Sequence, residues 1–517
     1  MSTDPQPDPA VCADLRADLH AAGYTADAVR RAWGPIADEA VGHGLHGPAL
    51  SALSASRPDG PTETIATLAR LLFLGVRTSR ASVDAALPRT GSTGLVALGL
   101  AEVDGDHVVP AALLRPQDVV DVDGVEQWWI ASDLDEAALG GPLPTGHVLG
   151  VGGASLTLAG LQLPTPAERV LDLGTGCGIQ ALRARRFAER VVATDVSERA
   201  LAFTRLNALL CGVDGIETRR GSLFEPVRGE TFDRVVSNPP FVITPRAAGV
   251  PAYEYRDAGF AGDDLVAAFV TGVGAVLSPG GTAQLLGNWE DRPGAEGLER
   301  VRGWVDASPV PLDAWVIERE RLDPLAYAEL WVRDGGTAPG TPGYGRLVEA
   351  WLADFAERGV TGVGFGYLVL RRAATGTPTV RRFERVTGPL AQGVADGGLG
   401  AHLADGLAAA DVLAELDDAA LSAATALVAG DVTEARHHLP GAESPSVIEL
   451  RQGGGLARTI EVDPALAALV GASDGDLSIG SLSDAIAQLL EVDPVALRAD
   501  LLPRVRELVM TGFLRLA

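Results

Sequence analysis

Val170-Leu171-Asp172-Leu173-Gly174-Thr175-Gly176-Cys177-Gly178-Ile179 reads as a buried strand, a tight turn and the start of a helix. From Arg169 to about Arg372 apolar runs alternate with helical patterns, which predicts βαβ units and an α/β fold around a largely parallel sheet. Strands are predicted at 169–173, 191–195, 215–219, 232–237 and 281–287, with later ones near 313–319 and 362–370. A glycine turn alone does not separate ligand classes, since nicotinamide and flavin sites use similar turns. Here the spacing is G-x-G-x-G and not the G-x-G-x-x-G of a pyrophosphate cradle. Asp172 stands just before the glycines, where it would repel a diphosphate and suit a cation. A second acid, Asp195, ends Val191-Val192-Ala193-Thr194-Asp195 about 20 residues after the turn, the placement of a ribose hydroxyl acceptor. A ribose-bearing cation without phosphates describes S-adenosylmethionine.

Further along, Phe232-Asp233-Arg234-Val235-Val236-Ser237 reads as a buried parallel strand and runs into Asn238-Pro239-Pro240-Phe241. The tetrad therefore falls at the carboxyl end of a strand, where open α/β sheets bind ligands. Two prolines hold the chain extended and remove two N–H donors, leaving carbonyl oxygens to face a pocket. Asn238 adds one more acceptor and Phe241 a flat face, which together make a seat for a planar NH2 group. Accepting both N–H bonds, from the Asn238 side-chain oxygen and the Pro239 carbonyl, would favour a pyramidal nitrogen and aim its lone pair. A flipped base and a glutamine amide both satisfy that description.

Four pieces together carry a family resemblance: D-L-G-T-G-C-G at 172–178, V-V-A-T-D at 191–195, F-D-R-V-V-S-N-P-P-F at 232–241 and L-S-P-G-G at 277–281. Residues 150–290 resemble the class I S-adenosylmethionine-dependent methyltransferases, in the branch that has N-P-P-[FY] after the fourth strand. That branch includes release-factor glutamine, ribosomal RNA guanine-N2 and adenine-N6 methyltransferases. The resemblance implies a seven-stranded Rossmann-like core. It also implies that Gly174, Gly176 and Gly178 admit the methionine moiety, that Asp172 faces its charged end, and that Asp195 holds the ribose. Thr175 belongs to the same turn. Where the family usually has an acid for the adenine amine this chain has Ser222, in Gly221-Ser222-Leu223-Phe224, so Ser222 and Leu223 are expected at the adenine and Phe224 as packing on it. Asn238, Pro239, Pro240 and Phe241 become the catalytic set, with Asn238 also bordering the cofactor. Cys177 reads as a small packing residue beside the cofactor. Gly150–Thr157 is expected as a gate, and Tyr253-Glu254-Tyr255-Arg256-Asp257-Ala258-Gly259 as a substrate lid.

Composition sets limits on partners. The net charge of −26 argues against a general nucleic-acid coat, because polyanion binding rests on phosphate neutralisation. All 42 basic residues are arginine, and asparagine and methionine are scarce, in the manner of a GC-rich codon bias. Arg371, Arg372, Arg381, Arg382 and Arg385 form the one dense basic cluster and are candidates for RNA phosphates. Cys12, Cys177 and Cys211 give neither a disulfide framework nor zinc spacing, so no metal is expected. With no signal-like start and no apolar run near the ~18 residues of a membrane span, a cytoplasmic location is expected.

The 517 residues suggest several domains. Residues 1–10 are expected to be disordered. A helical, winged-helix-like domain is predicted over 11–124, with its wing a hairpin turning in Glu102-Val103-Asp104-Gly105-Asp106-His107-Val108-Val109. A methyltransferase domain follows over 125–390, with 125–165 as a bridging segment that includes a strand at Trp128-Trp129-Ile130. An acidic winged-helix-like domain is predicted over 391–517, which carries 19 acids and 7 arginines. Acids on both flanks favour protein contact over DNA reading. The expected partner is a macromolecular methyl acceptor, ribosomal or transfer RNA or a translation factor. The competing expectation is a non-catalytic cofactor-binding scaffold that acts through its winged modules.

Overall fold

The computed structural model describes residues 4–55, 61–121, 124–141, 143–246, 259–390 and 398–517. It divides into two compact units, one of residues 1–159 and 166–376, the other of 160–165 and 377–517.

Seven strands of the first unit build its central sheet: β1 (Ala167–Leu173), β2 (Ala188–Asp195), β3 (Ile216–Arg220), β4 (Phe232–Ser237), β5 (Leu277–Asp291), β6 (Leu312–Leu322) and β7 (Gly362–Arg372). Their order is β3-β2-β1-β4-β5-β7-β6, with β7 alone antiparallel to both neighbours. Each predicted strand is present, and β5 is longer than expected at both ends. Near-continuous apolar runs such as Val170-Leu171 and Val235-Val236 form these strands because a parallel sheet is covered on both faces. The covering helices include α1 (Ile179–Ala184), α2 (Glu198–Cys211), α3 (Asp264–Val273) and α4 (Gly297–Asp306). Leu173 lies in register with Thr194 on one side and Ser237 on the other. The turn after β1, the tip of β2 and the chain after β4 therefore meet at one edge, where the strand order reverses and a ligand crevice opens.

β6 and β7 are antiparallel neighbours, which a short hairpin could join. Residues 323–361 intervene instead and form α5 (Pro324–Asp334) and α6 (Pro342–Arg358). Both begin on a side-chain cap followed by proline: Asp323 accepts from the Ala326 N–H and Thr341 from the Tyr344 N–H. Gly359 ends α6 in the left-handed region, φ 69°.

In the amino-terminal region expected to be winged-helix-like, helices Pro61–Leu68, Arg80–Ala86 and Gly91–Ala97 accompany a sheet ordered Thr78–Ser79, His107–Pro110, Ala101–Asp104, and the hairpin turns at Gly105-Asp106. Two expectations change. Residues 4–10 are ordered: the Gln6 N–H donates to the Leu98 carbonyl, and Asp8 caps a helix that starts at Pro9. The predicted boundary near 124 is also no division between compact units. Nine of the fourteen residues of α2 are buried, so that helix needs cover on both sides. Cys12, Leu15 and Leu19 of the first helix join Phe203, Leu206 and Leu210 of α2 in one core. The predicted Trp128–Ile130 strand lies in Gly124–Ser132, which pairs with Leu113–Asp121. Trp129 Nε1 donates to the Tyr24 carbonyl at 2.7 Å and so ties this hairpin to the first helices.

In the second unit, helices Pro464–Gly471, Ile479–Leu490 and Pro494–Met510 accompany two three-stranded sheets among the described residues, one ordered Asp474–Ser478, Thr425–Val428, Leu514–Leu516 and the other Val432–His437, Val447–Gln452, Thr459–Val462. Leu421, Leu466, Leu469, Ile486, Val505 and Phe513 are in its core. The unit begins at 377 and takes in 160–165, whereas the sequence placed the boundary at 391. Among the described residues no helix is long and apolar enough to cross a membrane.

Candidate active site

The chain leaves β1 through left-handed backbone at Gly174, Gly176 and Gly178, with φ of 73°, 56° and 88°. At Gly178 a side chain is excluded twice over: its φ disfavours one, and a Cβ would sit 3.0–3.1 Å from Thr204. A Cβ at Gly174 or Gly176 would meet nothing within 4 Å, so the space over the turn is open to a ligand. Thr194 steadies the turn from β2, its carbonyl accepting the N–H groups of Gly174 and Thr175 at 2.9 Å. Asp195 does the same with its side chain: Oδ2 accepts from the Gly176 N–H at 3.0 Å and Oδ1 from the Ser197 N–H at 2.9 Å. It remains half-buried at the tip of β2, beside the open turn.

Asp172 is placed differently from the expectation of a carboxylate facing the cleft. It is 0% exposed, and its Oδ2 accepts from Thr175 Oγ1 at 2.6 Å. Asp172 and Thr175 thus brace the turn from beneath. Burial pushes the Asp172 carboxyl up to about 7, against the pull of the Thr175 hydroxyl. A carboxyl with a raised folded value holds its proton more tightly folded than unfolded. Its contribution to stability is full below the unfolded value near 4 and is lost as pH rises through about 7. Asp172→Asn, which keeps an acceptor for Thr175, is therefore expected to flatten the fall in stability between those limits. Urea midpoints of both proteins across that range check this. Burial also pushes the Cys177 thiol up to about 11, which keeps it protonated and suits a packing role.

The β4 side is bound to the same edge. Ser237 Oγ donates to the Leu173 carbonyl at 2.8 Å. Asn238 Nδ2 lies 3.5 Å from Ser155 Oγ, on the helix Gly153–Leu161 that holds most of the expected gate. The Ser155 carbonyl in turn accepts from Gln180 Nε2 of α1 at 2.7 Å. Asn238 Oδ1 is buried and meets no donor among the described residues. Pro239 is buried, Pro240 and Phe241 are half-buried, and the Phe241 ring packs 5.4 Å from that of Phe365 on β7.

Beyond β3, the Gly221 N–H donates to the Asp195 carbonyl at 3.0 Å, which brings Ser222, exposed, beside Asp195. Leu223 is left-handed at φ 46°, a costly conformation for a non-glycine residue. The Phe224 ring packs 5.5 Å from that of Phe269 of α3.

Three contributors were not singled out from the sequence. Thr204 Oγ1 donates to the Gly176 carbonyl at 3.1 Å. Asn207, fully buried on α2, donates to the Cys177 carbonyl at 2.7 Å and to the Ala131 carbonyl at 2.9 Å, and accepts from the Ala131 N–H at 2.7 Å. Asn288, at the end of β5, is buried with its Oδ1 unpartnered. A signal existed: the chain has only three asparagines, Asn207, Asn238 and Asn288. Where composition disfavours a residue, each survivor calls for a chemical reason.

The expected lid lies outside the described residues, apart from Gly259. The basic cluster is largely spent internally. In the first unit Arg371 donates to Asp313 at 2.7 Å and Arg372 to the Leu277 carbonyl at 2.8 Å. In the second, Arg382 pairs with Glu384 and Glu507 at 2.8 and 2.7 Å. Buried between Arg382 and Arg458, Glu384 is held down to about 2 by those guanidiniums despite its burial.

Strand order, an open glycine turn, a half-buried acid on β2 and the N-P-P-F tetrad converge at one edge of a Rossmann-like sheet. Residues 152–250 match the methyltransferase small domain, and residues 21–111 match a domain of unknown function (DUF7059). A release factor glutamine methyltransferase of Xylella fastidiosa is 34% identical over 146 residues, 27% of this chain and 53% of that one. A ribosomal protein uL3 glutamine methyltransferase of Bordetella pertussis is 32% identical over 171 residues, 31% of this chain and 57% of the relative. The chain thus spans about half the length of the curated relatives it matches. A T. thermophilus 16S rRNA N2 G1207 methyltransferase in complex with AdoMet and guanosine is similar at 20% identity and a TM-score of 0.25, over 44% of this chain and 61% of that one.

Proposed function

We propose that the protein transfers a methyl group from S-adenosylmethionine to a planar NH2 nitrogen, and that the acceptor is a glutamine side chain of a protein of the translation apparatus. The observation that carries this is Asn238 Oδ1, a buried carbonyl oxygen with no donor among the described residues, at the edge where the turn after β1 opens. A buried acceptor left unpaired costs roughly 1–3 kcal/mol, which a ligand N–H would recover. When bound, the cofactor supplies an electrophilic methyl on a sulfonium. Gly174 and Gly176 leave it room, and Asp195, with Ser222 beside it, offers oxygen to its ribose end. On this reading Asp172, Thr175 and Gly178 shape the turn and Leu223 sets the chain at the adenine end. Asn238 Oδ1 and the Pro239 carbonyl accept the two N–H bonds of the acceptor, turn its lone pair to the methyl and stabilise the positive charge that develops. Pro240 keeps the chain extended and Phe241 covers the planar group. No general base is required, because the methylated cation gives its proton to water.

The glutamine reading is favoured over an RNA base by the net charge of −26, by the internal pairing of Arg371, Arg372 and Arg382, and by the kind of relatives matched. A cytoplasmic site of action fits three unpaired cysteines and a ribosome-associated acceptor. The acidic second unit is suited to contact with a basic protein. Tritiated-methyl transfer from S-adenosylmethionine into lysate of cells lacking the protein tests the proposal. Label in protein, released as N5-methylglutamine on digestion, is the expected result. Label in RNA would replace the acceptor, and label in no fraction would favour a non-catalytic cofactor-binding scaffold.

A further inference from the structure

We propose that Tyr327 and Asn288 are positioning residues for the acceptor half of the site, an inference that rests on the methyl-transfer function proposed above. Ile243 follows the tetrad by two residues and is fully buried, so its N–H must find a partner inside the protein. It donates to Tyr327 Oη at 3.0 Å. The same oxygen receives Asn288 Nδ2–H at 2.6 Å. One phenol thereby joins the chain leaving Asn238-Pro239-Pro240-Phe241 to the end of β5, the strand next to β4.

The register places Asn288 beside the tetrad. Leu285 lies opposite Ser237, so Asn288 is three residues past the point where β4 ends. On its other side Asn288 lies opposite Phe365, whose ring meets Phe241. Tyr327 is 3% exposed and is walled in by Trp331, Trp351 and Phe355 at centroid distances of 6.1, 5.9 and 5.9 Å, so its hydroxyl is held by packing. The end of β5 is fixed from two further sides: Arg358 of α6 pairs with the buried Glu290, and Asp263 accepts the Glu290 N–H at 3.0 Å. The α5–α6 insertion between β6 and β7 thus grips the tetrad's exit through Tyr327 and the strand beside it through Arg358.

Two observations separate this from ordinary core packing. Asn288 is 1% exposed, yet its Oδ1 has no donor among the described residues, whereas most buried side-chain amides have both ends satisfied. The chain also retains asparagine at only three positions, and the other two hold the cofactor turn and the tetrad.

The test uses full-length Tyr327→Phe, which removes one oxygen and keeps the ring, Asn288→Ala, the double variant and Asn238→Ala. Methyl transfer is measured with tritiated S-adenosylmethionine and lysate of cells lacking the protein. Each single variant is expected to lower turnover about tenfold with the cofactor KM unchanged, and the double variant to be no worse than the poorer single one. Full turnover in Tyr327→Phe, additive losses in the double variant, or cofactor affinity falling in step with turnover would each overturn the proposal. Asn238→Ala separates the failures. If it is inactive while Tyr327→Phe is fully active, only this inference fails; if it is fully active, the proposed function fails with it.

Discussion

Asn238→Ala is expected to lower methyl transfer by about 10²–10³-fold while cofactor affinity is retained. The side chain takes no part in holding the turn after β1; that is done by Thr194, Asp195, Thr204 and Asn207. Among the described residues its amide hydrogen-bonds only to Ser155 Oγ, at 3.5 Å. What the substitution removes is an acceptor oxygen aimed at a group that bears developing positive charge, an interaction stronger in the transition state than in the ground state. Turnover should therefore fall with the cofactor dissociation constant unchanged, as measured by calorimetry. The same variant should be at least as stable as the parent, because a buried carbonyl without a donor disappears with the side chain. Undiminished turnover would remove Asn238 from the mechanism.

The second large effect is expected in stability. Asn207→Ala leaves the Ala131 N–H and the Ala131 and Cys177 carbonyls without the partner they share. At roughly 1–3 kcal/mol for each buried polar group left unpaired, the loss should be about 3 kcal/mol or more. It should be accompanied by weaker cofactor binding, since the Cys177 carbonyl belongs to the glycine turn. Urea denaturation and calorimetric titration of the purified variant measure the two together. A loss below about 1 kcal/mol would show that water replaces the amide without penalty. The site of this residue also explains why the amino-terminal helices pack as part of the first unit: Ala131 lies on the hairpin that Trp129 fastens to Tyr24.

The central sheet was legible in the sequence because a parallel sheet covered on both faces demands unbroken apolar runs, and Val170-Leu171, Val191-Val192-Ala193 and Val235-Val236 supply them. The tetrad and Asp195 were legible for the same reason, being fixed to strand ends. Nothing local reveals that Phe269 stands opposite Phe224. The disorder expected before residue 11 followed from a polar, proline-rich stretch, yet Asp8 and Pro9 are a helix start. The basic cluster looked free because Asp313 and Glu507 are distant in sequence from the arginines they meet.

By itself the sequence determined the fold class and carried the motifs on which the proposed cofactor and acceptor nitrogen rest, since these are short motifs whose geometry is carried by adjacent residues. The strand-turn-helix at 170–179 is the clearest case: its glycines, its acid and its strand are contiguous. Only the tertiary structure decided that Asp172 braces the turn from beneath and that α2 clamps it through Thr204 and Asn207. The same holds for Tyr327, which ties Ile243 to Asn288. The clamp and the Tyr327 tie depend on partners 28 to 84 residues apart brought together by packing, and no local pattern encodes such pairings.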